Sequence, residues 1–154
     1  MISDTPRITL PTEAATVDFA NVMAAILRPG DTLLLEGAIG SGKTAFARAV
    51  IRARLERQED VPSPTFTLVQ TYDAPNGDIW HCDLYRLTAP EEVLELGLEE
   101  AFETAICLIE WPDRLGEDIP QDALTLQFTA HQSEHSVEMA APKNWQSRLR
   151  GINV

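Results

Sequence analysis

The sequence predicts an α/β fold with a mixed, partly parallel sheet extended by antiparallel hairpins. Two short, almost uninterrupted apolar runs, Thr32–Glu36 and Ala105–Glu110, have the character of strands buried on both faces, which is how parallel strands sit between layers of helices. Around them lie stretches with apolar residues at helical spacing, and two pairs of alternating segments separated by turn residues. With 154 residues, 44% of them hydrophobic, the chain fits one domain over residues 1–154, since domains commonly hold about 100 to 200 residues.

Arg7-Ile8-Thr9-Leu10 is β-prone and stops at Pro11. Thr12 is placed to cap a helix in which Phe19, Met23, Ile26 and Leu27 share one apolar face, and Pro29-Gly30-Asp31 stops it. After the strand at Thr32–Glu36, residues Gly37 to Gly42 form a glycine-rich turn. From Lys43 to about Glu56 nothing breaks a helix, and Phe46, Val50, Ile51 and Leu55 make its apolar stripe. Pro62-Ser63-Pro64 forces an extended link, because a proline disfavours α backbone in its predecessor. Thr65–Tyr72 alternates β-branched and aromatic residues, Asp73–Asp78 is dense in turn formers, and Ile79–Tyr85 completes a hairpin. In that second arm Ile79, His81, Asp83 and Tyr85 fall on one face, and Trp80, Cys82 and Leu84 on the other. Pro90 opens a glutamate-rich helix to about Phe102, kinked at Gly97. Beyond the strand at Ala105–Glu110, Ala123–Thr129 and His135–Met139 read as a second hairpin, and Pro142 starts a terminal helix.

Charge and hydropathy exclude whole classes of function. Twelve Lys and Arg against 24 Asp and Glu give a formal net charge of −12, a field that repels a polyanion, so contact with RNA is expected to be local or to run through partners. The longest strictly apolar run is Val22–Leu27, far short of the roughly 18 residues of a membrane span. Met1–Arg7 lacks the basic and then apolar order of a secretory signal, so the expected location is the cytoplasm. Cys82 and Cys107 lie in apolar stretches without metal-ligand spacing and read as buried thiols. Only Lys43 and Lys143 are lysines, the other cations being arginines.

Lys43 belongs to the strongest motif. Gly37-Ala38-Ile39-Gly40-Ser41-Gly42-Lys43-Thr44 matches G-x-x-x-x-G-K-[ST] between an apolar strand and a helix, which is the context of a phosphate-binding P-loop. Glycines let successive N–H groups turn toward phosphate, and the helix adds its positive end. Gly37 to Ala45 is the candidate nucleotide cradle of a P-loop NTPase domain, with Lys43 set against the β- and γ-phosphates and the Thr44 hydroxyl offered to Mg²⁺. Such a site needs an acid at the end of a neighbouring strand. Asp83 and Glu110 both qualify, and spacing does not rank them. One division gives Asp83 to Mg²⁺, directly or through water, and Glu110 to the attacking water.

Other residues carry weaker signals. Ser63 or Thr65 is placed for a switch that senses the γ-phosphate, or else the segment simply starts a strand. Trp111, next to Glu110, either stacks at the mouth of the site or packs in the core. Arg48 and Arg52, one turn apart with Arg57 beyond, form a docking stripe or a solvated helix face. His81, His131 and His135 show no metal spacing. No N-K-x-D guanine reader is present, which disfavours a GTPase, and no arginine-rich lid follows the core, which weakens a nucleotide-kinase reading.

In order along the chain, GAIGSGKT (37–44), SPTF (63–66), HCDLYR (81–86), ELGLEE (95–100) and IEWPDR (109–114) resemble the TsaE family, formerly called YjeE. The resemblance implies a small ATPase that binds ATP or ADP with Mg²⁺ and hydrolyses slowly without partners. It implies assistance to the TsaB–TsaD pair in making threonylcarbamoyladenosine in tRNA, with the transferase chemistry in TsaD. It further implies that Lys43, Glu110 and Thr65 serve catalysis, that Thr44, Asp83 and Glu110 hold the metal, and that Trp111 takes part in hydrolysis. Ala45 departs from the pattern, since many members carry a second threonine there. A small-molecule kinase and a nucleotide-gated interaction module are the rival readings.

Overall fold

The structure is a computed structural model and describes residues 7–56, 61, 68–87, 89 and 91–150. The strands are β1 (Arg7–Leu10), β2 (Thr32–Glu36), β3 (Val69–Tyr72), β4 (Ile79–Asp83), β5 (Ile106–Glu110), β6 (Leu124–Ala130) and β7 (His135–Ala140). The α-helices are α1 (Glu13–Ile26), α2 (Lys43–Leu55), α3 (Glu91–Leu96), α4 (Leu98–Thr104) and α5 (Lys143–Arg150), with a 3₁₀ segment at Pro112–Asp118. The seven strands among the described residues join one sheet in the order β1-β7-β6-β2-β5-β4-β3. Its centre, β6-β2-β5-β4, is parallel. Antiparallel pairing adds β7 and β1 at one edge and β3 at the other, which is the mixed α/β architecture expected.

The apolar runs are buried on both faces, as parallel central strands require. On one face Leu33, Leu35 and Leu108 pack with Phe19 and Met23 of α1 and Phe46 and Ile51 of α2. On the other, Leu34, Cys107 and Ile109 pack with Leu98, Ala101 and Leu115. Each fully buried leucine or phenylalanine side chain contributes about 1.5–3 kcal/mol, so this double burial is what fixes the position of β2 and β5.

Local chemistry sets the helix ends. The Thr12 hydroxyl accepts from the Ala15 N–H at 3.0 Å and starts α1. At its other end the Arg54 guanidinium donates to the carbonyls of Ala24 and Leu27 at 2.9 and 3.0 Å, satisfying acceptors that a helix terminus leaves open and tying α1 to α2.

Several boundaries differ from expectation. β4 stops at Asp83 rather than Tyr85, because Asp83 Oδ1 accepts the Tyr85 N–H at 3.0 Å and turns the chain. Of the strand expected over Thr65–Tyr72, residues 65–67 lie outside the described residues, Leu68 has φ 67°, and pairing starts at Val69. The glutamate-rich helix is two helices, with Gly97 at φ 82° between them. The β6–β7 hairpin forms as read, but β6 also runs parallel beside β2, reached from β5 through the 3₁₀ segment.

The register places the site. Leu35 of β2, Glu110 of β5 and Asp83 of β4 stand side by side at the C-terminal edge of the parallel strands.

Candidate functional site

Between β2 and α2 the chain makes a tight loop over residues 37–42. Gly37 has φ 141°, and a Cβ there would lie 2.6 Å from both the Phe128 carbonyl oxygen and Ser41 Oγ, so only glycine lets the loop pass this close to β6. The turn is closed by the Ser41 N–H donating to the Ala38 carbonyl at 3.1 Å, with Ser41 itself buried. Gly42, at φ 106°, is the N-cap of α2 and brings no side-chain cap, so the first-turn N–H groups and the positive end of the helix are presented by backbone alone.

A cavity of about 580 Å³ opens over this loop. Ile39, Gly40, Gly42, Lys43, Thr44 and Ala45 line one wall, Asp83, Tyr85 and Arg86 a second, Glu110 and Trp111 a third, and His135 closes it from β7. Gly37, Ala38 and Ser41 do not line this cavity: Ser41 is buried, Gly37 half-buried and Ala38 exposed.

Lys43 is buried. Its Nζ donates to the Gly37 carbonyl at 2.7 Å and sits 3.6 Å from the centroid of the Trp111 ring. Burial pushes the lysine pKa below its ordinary value, against the opposing pull of Glu110, Asp83 and Asp113. Glu110, 2% exposed, accepts from the Thr44 hydroxyl at Oε1 at 2.8 Å. At Oε2 it meets His81 Nε2 at 2.7 Å. Trp111 holds a left-handed backbone, φ 60° and ψ 54°, which costs a non-glycine residue about 1–3 kcal/mol and turns its ring over Lys43. The ring also packs on Tyr85, centroids 4.9 Å apart.

Lys43, Thr44, Asp83, Glu110 and Trp111, separated by up to 68 positions, are thus brought to one cavity. Ser63 and Thr65, the expected switch hydroxyls, and Arg57 lie outside the described residues. Trp111 is half-buried at the rim, not a core residue. Arg48 and Arg52 do not form a plain solvated face: they line a second cavity of about 460 Å³ with Thr12, Glu13, Ser133 and Glu134. That cavity shares Gly42, Ala45 and His135 with the first.

Four site residues escaped sequence reasoning: His81, Tyr85, Arg86 and His135. The signal for His81 was its place two residues before Asp83 on a strand, which puts both on one face. His135 is brought in by β7, whose hairpin with β6 is legible in the sequence but whose approach to the glycine loop depends on β6 lying parallel beside β2, which no local pattern reveals. His131 is elsewhere, bonded to Ser136 Oγ at 2.9 Å and to Arg7 at 3.2 Å. Among the described residues, no three His, Cys, Asp or Glu side chains cluster to hold a metal by themselves.

A glycine loop joining a central parallel strand to a helix, a lysine in that helix's first turn and acids ending the next two strands on one side define the class: a mixed α/β protein with a G-x-x-x-x-G-K-[ST] loop after its central strand. The TsaE family model, described as threonylcarbamoyl adenosine biosynthesis protein TsaE, matches residues 10–139. The chain belongs to the TsaE family. It is 46% identical over 111 residues to the tRNA threonylcarbamoyladenosine biosynthesis protein TsaE of Rickettsia bellii, covering 72% of this chain and 77% of that one. To the protein of the same name from Haemophilus influenzae it is 33% identical over 141 residues, covering 88% and 89%. The crystal structure of YdiB from Bacillus subtilis matches with a TM-score of 0.80 at 26% identity, over 97% of this chain and 95% of that one.

Proposed function

We propose that this chain is an ATPase of tRNA threonylcarbamoyladenosine formation: a single domain over residues 1–154 that binds ATP or ADP with Mg²⁺ and hydrolyses ATP in support of the TsaB–TsaD pair. The observation that carries the reading is the convergence of Lys43, Thr44 and Glu110, with Asp83 in register beside them, on the open backbone of the glycine loop.

The polyphosphate of the substrate would lie along the loop from Gly37 to Ala45, received by N–H groups and by the positive end of α2. Lys43, already desolvated and held between the Gly37 carbonyl and the Trp111 ring, exchanges the carbonyl for a phosphoryl oxygen. The Thr44 hydroxyl and the Asp83 and Glu110 carboxylates are an all-oxygen donor set, which suits Mg²⁺ completed by phosphate and water rather than a caged transition metal. Mg²⁺, when bound, offsets negative charge on the phosphates. Glu110 accepts a hydrogen bond from the water that attacks the γ-phosphate. The second cavity, which shares Gly42, Ala45 and His135 with the first, offers room for ribose and base. Thr65 enters as a switch hydroxyl on the strength of its sequence position alone.

The net charge of −12 assigns tRNA contact chiefly to the partners. No helix among the described residues is long and apolar enough to cross a membrane. The deciding experiment is phosphate release from ATP and Mg²⁺, with and without TsaB–TsaD, using Lys43→Ala as blank. Turnover that rises with the pair and vanishes in Lys43→Ala supports the reading, and turnover indifferent to Lys43 sinks it.

A second reading, a nucleotide-gated interaction module with incidental hydrolysis, draws on Ile39 and Tyr85, which are 77% and 44% exposed at the cavity mouth. A hydrolysis-dead variant that still sustains repeated tRNA modification would favour it.

A further inference from the structure

The geometry points to His81 as a positioning residue for hydrolysis: it grips one oxygen of Glu110, so that only the other is presented to Thr44 and the attacking water. This inference rests on the ATPase reading above.

β4 and β5 lie parallel with Asp83 beside Glu110, and His81, two residues earlier on the same face as Asp83, comes level with Leu108. On that face Ile79, Ile106 and Leu108 belong to the apolar core packed by α2. A strand of this pattern asks for another aliphatic at position 81; instead it carries an imidazole, fully buried at 0% exposure. A buried polar ring placed against an apolar pattern needs a partner, and Glu110 Oε2 is that partner at 2.7 Å.

The two contacts of Glu110 assign the tautomer. Oε1 accepts the Thr44 O–H and Oε2 faces His81 Nε2, so the carboxylate is acceptor at both ends and Nε2 carries the proton. Among the described residues His81 Nδ1 has no hydrogen-bond partner, and a bare lone pair there costs less than a buried, unpaired N–H. The neutral Nε2–H imidazole satisfies both conditions.

The consequence is orientational. The terminal torsion of a glutamate is broad, so a single bond from Thr44 leaves the carboxylate plane free to swing. The second bond from His81, fixed on the neighbouring strand, removes that freedom and takes Oε2 out of the chemistry. A displacement of about 1 Å at such a group costs on the order of 10²-fold in rate.

The test compares wild type with His81→Leu, which keeps bulk and loses the donor, and His81→Gln, whose amide N–H reaches as far along the side chain as Nε2. Phosphate release is followed with ATP, Mg²⁺ and the TsaB–TsaD pair, and ADP affinity by calorimetry. The expected result is a kcat about 10²-fold lower in His81→Leu, ADP affinity within about threefold of wild type, and most of the rate restored in His81→Gln. If His81→Leu does not fold, His81→Asn replaces it: its amide reaches only the Nδ1 position, and kcat should then be well below that of His81→Gln at equal ADP affinity. Wild-type kcat in His81→Leu, equal losses in His81→Gln and His81→Asn, or a parallel loss of ADP binding overturns the inference. Independently of turnover, long-range ¹H–¹⁵N spectra of the protein alone should show His81 protonated at Nε2 and bare at Nδ1, and the reverse tautomer overturns it. Wild-type protein that releases no phosphate sinks the ATPase reading and this inference together; normal wild-type turnover with an unaffected His81→Leu sinks only the inference.

Discussion

Thr44 and Glu110, 66 positions apart in the chain, are joined by a 2.8 Å hydrogen bond that ties the first turn of α2 to the end of β5. One hydroxyl and one carboxylate therefore address the same point above the glycine loop. Thr44→Val keeps the shape and removes the donor, leaving a buried carboxylate short of one bond at a cost of about 1.5–3 kcal/mol. We expect a lower melting temperature, together with a loss of Mg²⁺-dependent phosphate release on the order of 10²-fold, and near wild-type behaviour in Thr44→Ser. An unchanged melting temperature and rate in Thr44→Val would show that the bond does no structural or chemical work.

Trp111 combines a strained backbone with a ring that shields Lys43. Two substitutions separate these effects. Both Trp111→Ala and Trp111→Gly remove the ring and should lower phosphate release alike, because Lys43 loses its cation–π partner. They should differ in stability: glycine accepts φ 60° without penalty, so Trp111→Gly should be about 1 kcal/mol more stable than Trp111→Ala. Denaturant melts of the two variants decide it, and equal stabilities would mean that the left-handed turn relaxes once the ring is gone.

Much of this site is legible in the sequence, and the rest is not, for physical reasons. The run Gly37 to Thr44 declares itself because phosphate recognition by backbone requires glycines and a lysine at fixed spacing. Thr32–Glu36 and Ala105–Glu110 declare themselves because burial on both faces removes polar residues. Periodicity reveals which face a side chain takes but not which strand lies beside it. The pairing of β1 with β7 and the parallel placement of β6 beside β2 were therefore out of reach, and with them the role of His135. His81 escapes for a different reason: it has no metal-ligand spacing, among the described residues it joins no cluster that could hold a metal, and its partner is a carboxylate 29 positions away on the next strand.

Gly37 is held by packing as much as by conformation. In Gly37→Ala the new methyl would stand 2.6 Å from the Phe128 carbonyl oxygen, a backbone atom that cannot move without disturbing β6. Adding this overlap to the cost of φ 141° gives an expected destabilisation of about 2–4 kcal/mol. Gly40→Ala meets nothing within 4 Å and should bear only the conformational part of that cost. Chemical melts of the pair test the comparison, and equal losses would remove the packing argument for the loop's approach to β6.

The pH dependence of stability follows from three buried groups of opposite sign. Burial raises the Cys107 thiol from 9.0 to about 12, and Cys82 is pushed well above 9.0, again chiefly by burial. A raised thiol contributes stability that is complete below the unfolded value and is lost as pH climbs toward the folded one, because the unfolded chain deprotonates first. Lys43 is lowered from 10.5, so its contribution is complete above 10.5 and is lost as pH falls through the folded value. Above about pH 9 the two thiols therefore erode stability, while Lys43 adds to it as pH rises from its lowered folded value to 10.5. Thermal melts at pH 8, 9 and 10 should show a flatter decline in Cys107→Ala than in wild type, and a steeper one in Lys43→Met. Parallel slopes in all three proteins would mean that other groups control the alkaline limb.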